Sequence, residues 1–319
     1  MFTPTVNRRC PSLVLACLAL AGLFFSASVH AAPEKELRVL ATTFPVWLFT
    51  RNIVHDCPHV RTDLLIPTNF GCPHDYALAP RDMQKLSRAT ALVINGLGME
   101  NFLNAPLTAS IGGPTIIDAG AGIAAPPQPA SPHHTNTTWS NPHNHDGMNP
   151  HIFSGPKQAA IMTRTIAEGL ARIDPANAEV YRAAAEAYAA RLTAIGVRLT
   201  AIGADAPRKG IVLQHDSLFW LAADAGLEIL AVMQTNENAP PSANELIRLT
   251  ALVRRERPAL IAADPQYADR LVRTLAQETN VPAASLDPVS SGPDNAPLDW
   301  YETVMSANCQ TLEQYFEPR

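Results

Sequence analysis

Residues 174–205 read DPANAEVYRAAAEAYAARLTAIGVRLTAIGAD. Tyr181, Ala184, Tyr188, Leu192, Ile195, Leu199 and Ile202 recur in steps of three and four, which lines one face of a helix. Glu179, Arg182, Glu186 and Arg198 fall largely elsewhere and suit solvent. Asp174 is an N-cap with Pro175 at the first helical position, where a missing N–H is harmless. Gly203 is the expected terminator, and Gly196, a poor helix former by roughly 1 kcal/mol against Ala, marks a kink. About thirty residues at 1.5 Å each give roughly 45 Å, longer than a small domain is wide. A long surface helix of one domain fits this pattern. A strut between two lobes fits it better, because similar α/β material lies on both sides.

Before the helix, apolar β-branched runs at 37–43, 60–66, 91–94 and 115–117 alternate with helical patterns at 44–53 and 81–87. After it, runs at 211–214, 227–233, 260–263 and 281–286 alternate with helical patterns at 217–225, 242–256 and 267–279, and 300–316 closes the chain as a helix. Strands alternating with helices imply parallel sheets. The expected fold is therefore α/β, with two lobes of roughly four parallel strands joined by one long rigid helix. The expected divisions are a leader over 1–31, an N-terminal lobe over 32–173, the linking helix over 174–205 and a C-terminal lobe over 206–319. A tract over 119–149, rich in Pro, Asn, Thr and His with no apolar period, reads as a mobile surface loop.

The chain's 319 residues allow two modest domains, and its 47% apolar content supports packed cores. A net charge of −5 without a basic tract argues against a nucleic-acid surface. Arg8 and Arg9, the apolar run 13–25 and the small-residue site Val29-His30-Ala31 make an export signal. The sequence around Cys17 weakly resembles a lipoprotein box, but lipid attachment there would leave Leu18-Ala19-Leu20 as the new start, so cleavage near Ala31 is expected instead. The mature chain is then soluble and periplasmic, where disulfides are permitted. Cys57, Cys72 and Cys309 remain, and Cys57 with Cys72 is the expected pair.

Four residues stand out by placement. His74 lies in the loop after the second strand. His151 follows Asn149-Pro150 where order resumes. His215 ends the 211–214 strand, and Asp287 ends the last one. In a two-lobed protein such strand-end loops face one cleft. Three imidazoles and one carboxylate complete a tetrahedral zinc shell, and nitrogen-rich ligation suits zinc better than manganese. Taken singly, each histidine is more often structural or surface than a ligand. A secreted zinc hydrolase is the rival from another class. It would keep three protein ligands and an open position for water, and the sequence lacks a His-Glu-x-x-His helix.

Further motifs run in order along the chain: Thr42-Thr43-Phe44-Pro45; Cys72-Pro73-His74-Asp75-Tyr76 with Pro80; Asn95-Gly96-Leu97-Gly98-Met99-Glu100; Asn149-Pro150-His151; Asp174-Pro175; His215-Asp216; Asp264-Pro265-Gln266; and Leu286-Asp287-Pro288, with Tyr301 and Asn308 near the end. In this series the chain resembles the periplasmic zinc- and manganese-binding proteins of ABC-type metal importers, over essentially the whole mature sequence. The resemblance implies two lobes on a long helix and no enzymatic activity. It implies His74, His151 and His215 as ligands, with Asp287 as the fourth and Asp264 as its competitor. A histidine rather than a carboxylate at 215 favours zinc over a manganese carrier of the same fold. Asp75 and Asp216 are expected to make local turn bonds or to orient the adjoining imidazoles. His133, His134, His143 and His145 match the His-rich loop of many zinc-binding relatives, where they would hold zinc weakly. The implied partners are an inner-membrane ABC permease and a periplasmic zinc chaperone, with the protein itself a monomer.

Overall fold

Four short runs, Leu37–Ala41 (β1), Val60–Leu64 (β2), Ala91–Ile94 (β3) and Thr115–Asp118 (β4), pair in parallel in the order β2-β1-β3-β4. Gly210–His215 (β5), Glu228–Gln234 (β6), Leu260–Ala263 (β7) and Ala283–Ser285 (β8) repeat the pattern as β6-β5-β7-β8. The computed structural model describes residues 1–3, 36–71, 73–104, 113–124, 148–234 and 241–317, with Asp75 by its backbone only. The leader beyond residue 3, Cys17, Cys72 and the four loop histidines lie outside the described residues. Cys309 is buried, and no described helix is long and apolar enough to cross a membrane.

The crossover helices are Phe44–Val54 (α1), Pro80–Arg88 (α2) and Pro156–Ile173 (α3) in the first half. In the second they are Phe219–Asp224 (α5), Ala243–Glu256 (α6) and Arg270–Thr279 (α7), and Trp300–Phe316 (α8) ends the fold. Between the halves runs Ala178–Asp205 (α4), 28 residues long. The two four-stranded parallel sheets and the long helix between them are as expected from the sequence.

Details at the ends of α4 differ. Pro175–Asn177 is a separate 3-10 turn, and the Asp174 side chain does not cap a helix. It accepts bonds from Tyr181 Oη (2.6 Å) and Asn177 Nδ2 (3.0 Å) and pairs with His59 Nε2 (2.9 Å), tying α4 to the loop before β2. The helix runs unbroken through Gly196 and past Gly203 to Asp205. Gly203 is demanded by packing: a Cβ there would lie 1.5 Å from the Ala225 carbonyl oxygen.

Strand alternation divides each sheet between two cores. Val39, Ala41, Ile211 and Leu213 face one continuous core with Phe49, Tyr188, Leu192, Leu199 and Tyr301. Their neighbours face outward: Leu40 packs with Leu86 and Leu92, and Val212 with Leu249, Val253 and Val272. Edge-on aromatic packing of Phe49 on Tyr301 (centroids 5.3 Å apart) lies in the shared core. Residues 36–319 form one compact unit.

Polar bonds also cross between the halves. Thr68 Oγ1 donates to Asp294 Oδ1 (2.5 Å), and Gly292 N donates to Thr68 O (2.9 Å). Arg51 reaches Ala296 O (2.6 Å), and Asn52 Nδ2 reaches Leu298 O (2.8 Å). The segment after β8 is thus strapped onto α1 and onto the loop that leads to His74.

Candidate metal centre

All the parallel strands of a sheet end on the same side, so the loops that follow them share one space. His74 sits in the 3-10 turn Pro73–Asp75 after β2. His151 opens the turn Ile152–Ser154 just before α3, and His215 is the last residue of β5. Three residues far apart in sequence meet there. The His74 and His151 ring centroids are 5.3 Å apart at 80°, and those of His151 and His215 are 5.6 Å apart at 82°. Zinc–nitrogen bonds of about 2 Å in a tetrahedral shell put two bound imidazole centroids roughly 5 Å apart. Both observed spacings, His74 to His151 and His151 to His215, are of that size. His151 and His215 are almost fully buried, at 1% exposure each, so their nitrogens face protein groups more than solvent.

His151 is oriented by Asn149. The Asn149 Oδ1 accepts from the His151 backbone N–H (2.8 Å) and lies 3.1 Å from Nδ1, while Nδ2 donates to Asp216 O (3.0 Å). The two backbone bonds fix which end of the amide is oxygen. Nδ1 facing that oxygen must carry the proton, so Nε2 carries the lone pair a metal needs. Trp220 Nε1 donates to Asn149 O (2.9 Å), so this fully buried side chain also holds the Asn149 segment.

His215 Nδ1 stands between a donor and an acceptor: Ser217 N at 3.1 Å and Asp216 Oδ1 at 3.3 Å. The same Asp216 oxygen is 3.6 Å from His151 Nδ1. One carboxylate therefore faces the Nδ1 edges of two rings, an arrangement that orients imidazoles whose Nε2 edges point elsewhere. Among the described residues, His151, His215 and Asp216 are the set whose donor atoms lie within 4.8 Å of one another. His74 and Asp287 are outside that set. Tyr267 stacks on the His215 ring at 4.6 Å and 23°. The sequence pattern assigns Tyr267 to a helix, but α7 begins only at Arg270, and Tyr267 lies in the turn before it.

The two other aspartates differ in their commitments. Asp264 is buried and accepts from Ser217 Oγ (2.6 Å) and Gln266 N (2.9 Å), which buttresses the residue that bonds His215. Asp287 is half-buried and accepts from Val289 N at Oδ1 (2.7 Å). Burial pushes its carboxyl above the ordinary range. Asn308 of α8 clamps its backbone from both sides, accepting from Asp287 N (2.9 Å) and donating to Asp287 O (2.8 Å). Val289 takes a left-handed φ of 65°, costly for a β-branched residue. The turn carrying Asp287 is thus held in a conformation that its sequence alone disfavours.

Glu100, Asp224 and their partners form the surrounding frame. Asp224 at the end of α5 accepts from Lys157 N in the first turn of α3 (2.9 Å), and burial pushes its carboxyl up to about 6. Together with the Trp220 and Asn149 bonds, this ties the His151 segment to the His215 segment.

Comparison with known proteins bears on this arrangement. Residues 39–315 match the family model for ZnuA, zinc-uptake complex component A, periplasmic. The chain is 26% identical over 315 residues to zinc-binding protein AdcA of Streptococcus pyogenes serotype M6, covering 94% of this chain and 60% of the relative. It therefore spans about three fifths of the length of that curated relative. It is 28% identical over 248 residues to the high-affinity zinc uptake system protein ZnuA of Yersinia pestis, covering 72% of this chain and 77% of the relative. Among solved structures it is similar to the SBP FpvC of Pseudomonas aeruginosa in complex with Mn2+, with a TM-score of 0.74, 26% identity, and coverage of 88% of this chain and 98% of that one.

Proposed function

The chain belongs to the ZnuA family of periplasmic zinc-uptake components, and from that premise we propose that it captures one zinc ion between His74, His151 and His215 and delivers it to an inner-membrane ABC permease. The observation that carries this reading is the contact of the three rings at 5.3 and 5.6 Å. Asp287 is the proposed fourth ligand, since it follows β8 on the side where β5 ends in His215, and its Oδ1 is tied to Val289 N. Asp216 orients His151 and His215 through their Nδ1 edges. On this reading 32–173 and 206–319 are the two lobes, 174–205 is their connecting helix, and the protein works in the periplasm. A periplasmic chaperone and a weak zinc-holding role for His133, His134, His143 and His145 belong to the same proposal.

No bond is made or broken in such a protein. Zinc displaces protons from imidazole, so binding weakens on acidification. His151 needs no rearrangement, because its proton already sits on Nδ1. Nitrogen donors favour zinc over manganese, although FpvC is a structural relative in complex with Mn2+.

The test is calorimetric titration of the metal-free protein with zinc. One tight equivalent is expected, and His215→Ala weakens it by orders of magnitude with little change in Tm. Wild-type affinity in a folded His215→Ala protein would remove this residue from the shell. Manganese binding more tightly than zinc would overturn the choice of metal.

A further inference from the structure

Glu100 is a carboxyl buried to 6% exposure, remote in sequence from His74, His151, His215 and Asp287. It belongs to the 95–100 motif, whose role the ligand set leaves unexplained. Its Oε1 accepts from Thr42 Oγ1 (2.6 Å) and Asn95 N (2.7 Å), and its Oε2 accepts from Gly96 N (3.1 Å). The first donor comes from the end of β1 and the other two from the end of β3. These strands are already joined there by Thr42 N to Val93 O (3.0 Å). The turn that follows is unusual: Gly96, Leu97 and Gly98 all have positive φ, at 85°, 54° and 80°. The carboxylate captures the two N–H groups that open this turn, those of Asn95 and Gly96. Gly96 has no room for a side chain, since a Cβ would lie 2.0 Å from Asp118 Oδ1.

The turn presents Asn95. Its side chain is fully buried, and Nδ2 donates to Pro150 O (2.8 Å) as well as to Gly96 O (3.1 Å). The Pro150 carbonyl belongs to the peptide unit that leads into His151. The N–H of that same unit donates to Asn149 Oδ1 (2.8 Å). Both polar ends of one peptide plane are therefore held, the oxygen by Asn95 and the nitrogen by Asn149. A plane fixed at both ends sets the direction in which the His151 side chain leaves the backbone.

We propose that Glu100 and Asn95 are positioning residues for metal binding: Glu100 holds the Asn95–Gly96 turn, and Asn95 holds the peptide that aims His151 at the ion. This rests on the reading of His151 as a ligand. Burial pushes the Glu100 carboxyl up to about 7 against the pull of its three donors, so an unpaired acid here is costly. A purely apolar residue would pack the site without that cost but would leave the Asn95 and Gly96 N–H groups without an acceptor.

The experiment measures zinc affinity by competition with a chromophoric chelator for wild type, Asn95→Leu and Glu100→Gln. It adds the imidazole 15N shifts of His151 in the metal-free proteins. Asn95→Leu keeps the branched shape and removes the donor. Outer-shell partners of metal ligands typically contribute about 10–100-fold in affinity, and a rise of that size in Kd is expected. His151 should shift from the Nδ1–H tautomer to a mixture. Glu100→Gln keeps an acceptor for Thr42 and Asn95 but turns an NH2 toward Gly96 N, so a smaller rise is expected. Val253→Ala, in the outer core of the second sheet, controls for general loosening: it should lower Tm and leave Kd unchanged.

Folded Asn95→Leu protein with wild-type Kd and a wild-type His151 tautomer would overturn the proposal. So would an equal loss of affinity in Val253→Ala. Wild-type protein that fails to bind zinc tightly would sink the functional reading instead. The 15N shifts of the metal-free protein still report the pinning of His151 in that case. Should Glu100→Gln fail to fold, Asn95→Leu alone decides.

Discussion

Asn149 bonds to three residues at once: His151 through its backbone and ring, Asp216 through its carbonyl, and Trp220 through the indole N–H. A small amide thus sets a tautomer and joins two segments. Asn149→Ala is expected to raise the zinc Kd by about 10–100-fold, with fluorescence of Trp220 shifting as its acceptor peptide loosens; an unchanged Kd would mean that His151 needs no such support. The proton competition has a direction too. Imidazole has an ordinary pKa near 6.5, so zinc affinity should be level above about pH 7 and fall as pH drops through that value. Glu100 acts oppositely on stability. Its carboxyl is raised from 4.5 to about 7 in the fold, so the protonated form is favoured there. That contribution is complete below pH 4.5 and is lost as pH rises through about 7. Urea midpoints of wild type should decline over this window relative to Glu100→Gln, and parallel curves would contradict the assignment. His74, His151 and His215 were legible as candidates because each adjoins Pro or Asp in a loop after a strand or before a helix. Asn149 and Tyr267 were not legible in their roles. An amide beside proline and a tyrosine beside a turn look the same in sequence whether or not a ring lies against them.

At the scale of elements, α4 decides the geometry. Its buried face carries Tyr181, Tyr188, Leu192, Leu199 and Ile202, residues whose spacing is visible in sequence. Leu192→Ala leaves a cavity in the shared core and should cost about 2–5 kcal/mol of stability, read as a fall in the urea midpoint; a loss below about 0.5 kcal/mol would indicate surface placement. Gly203 gave a misleading signal. Sequence reasoning treats glycine near a helix end as a stop, whereas here the end of α5 crowds the helix and excludes a Cβ. Asp174 misled in the same way: its partners come from His59 and Tyr181, across a turn and a loop, and no local pattern encodes them. Strands β1 to β8 were legible because short runs bounded by turn residues are local features.

For the whole molecule, the shared core and the strap after β8 bear on how metal would leave the proposed site. The His151 and His215 segments are joined by Asn149, Trp220 and the Asp224 to Lys157 bond, so separating those two histidines breaks several buried bonds together. The His74 loop is held differently, by Thr68 to Asp294 and Gly292 to Thr68. Asp294→Ala should speed zinc dissociation several-fold with little change in Tm, measured by stopped-flow transfer to a chelator; an unchanged rate would place the release step elsewhere. Sequence reasoning assigned similar material to both sides of α4, and the matching sheet orders bear that out. It had no means of finding the strap, since residues such as Pro293 and Asp294 look like any polar turn. The central claim is that His74, His151 and His215 converge on one ion. Diffraction from zinc-loaded crystals on both sides of the zinc absorption edge tests it directly. One anomalous peak within about 2.0–2.1 Å of a nitrogen from each of the three rings is the predicted result; a peak bonded to other residues, or to one ring alone, would contradict it.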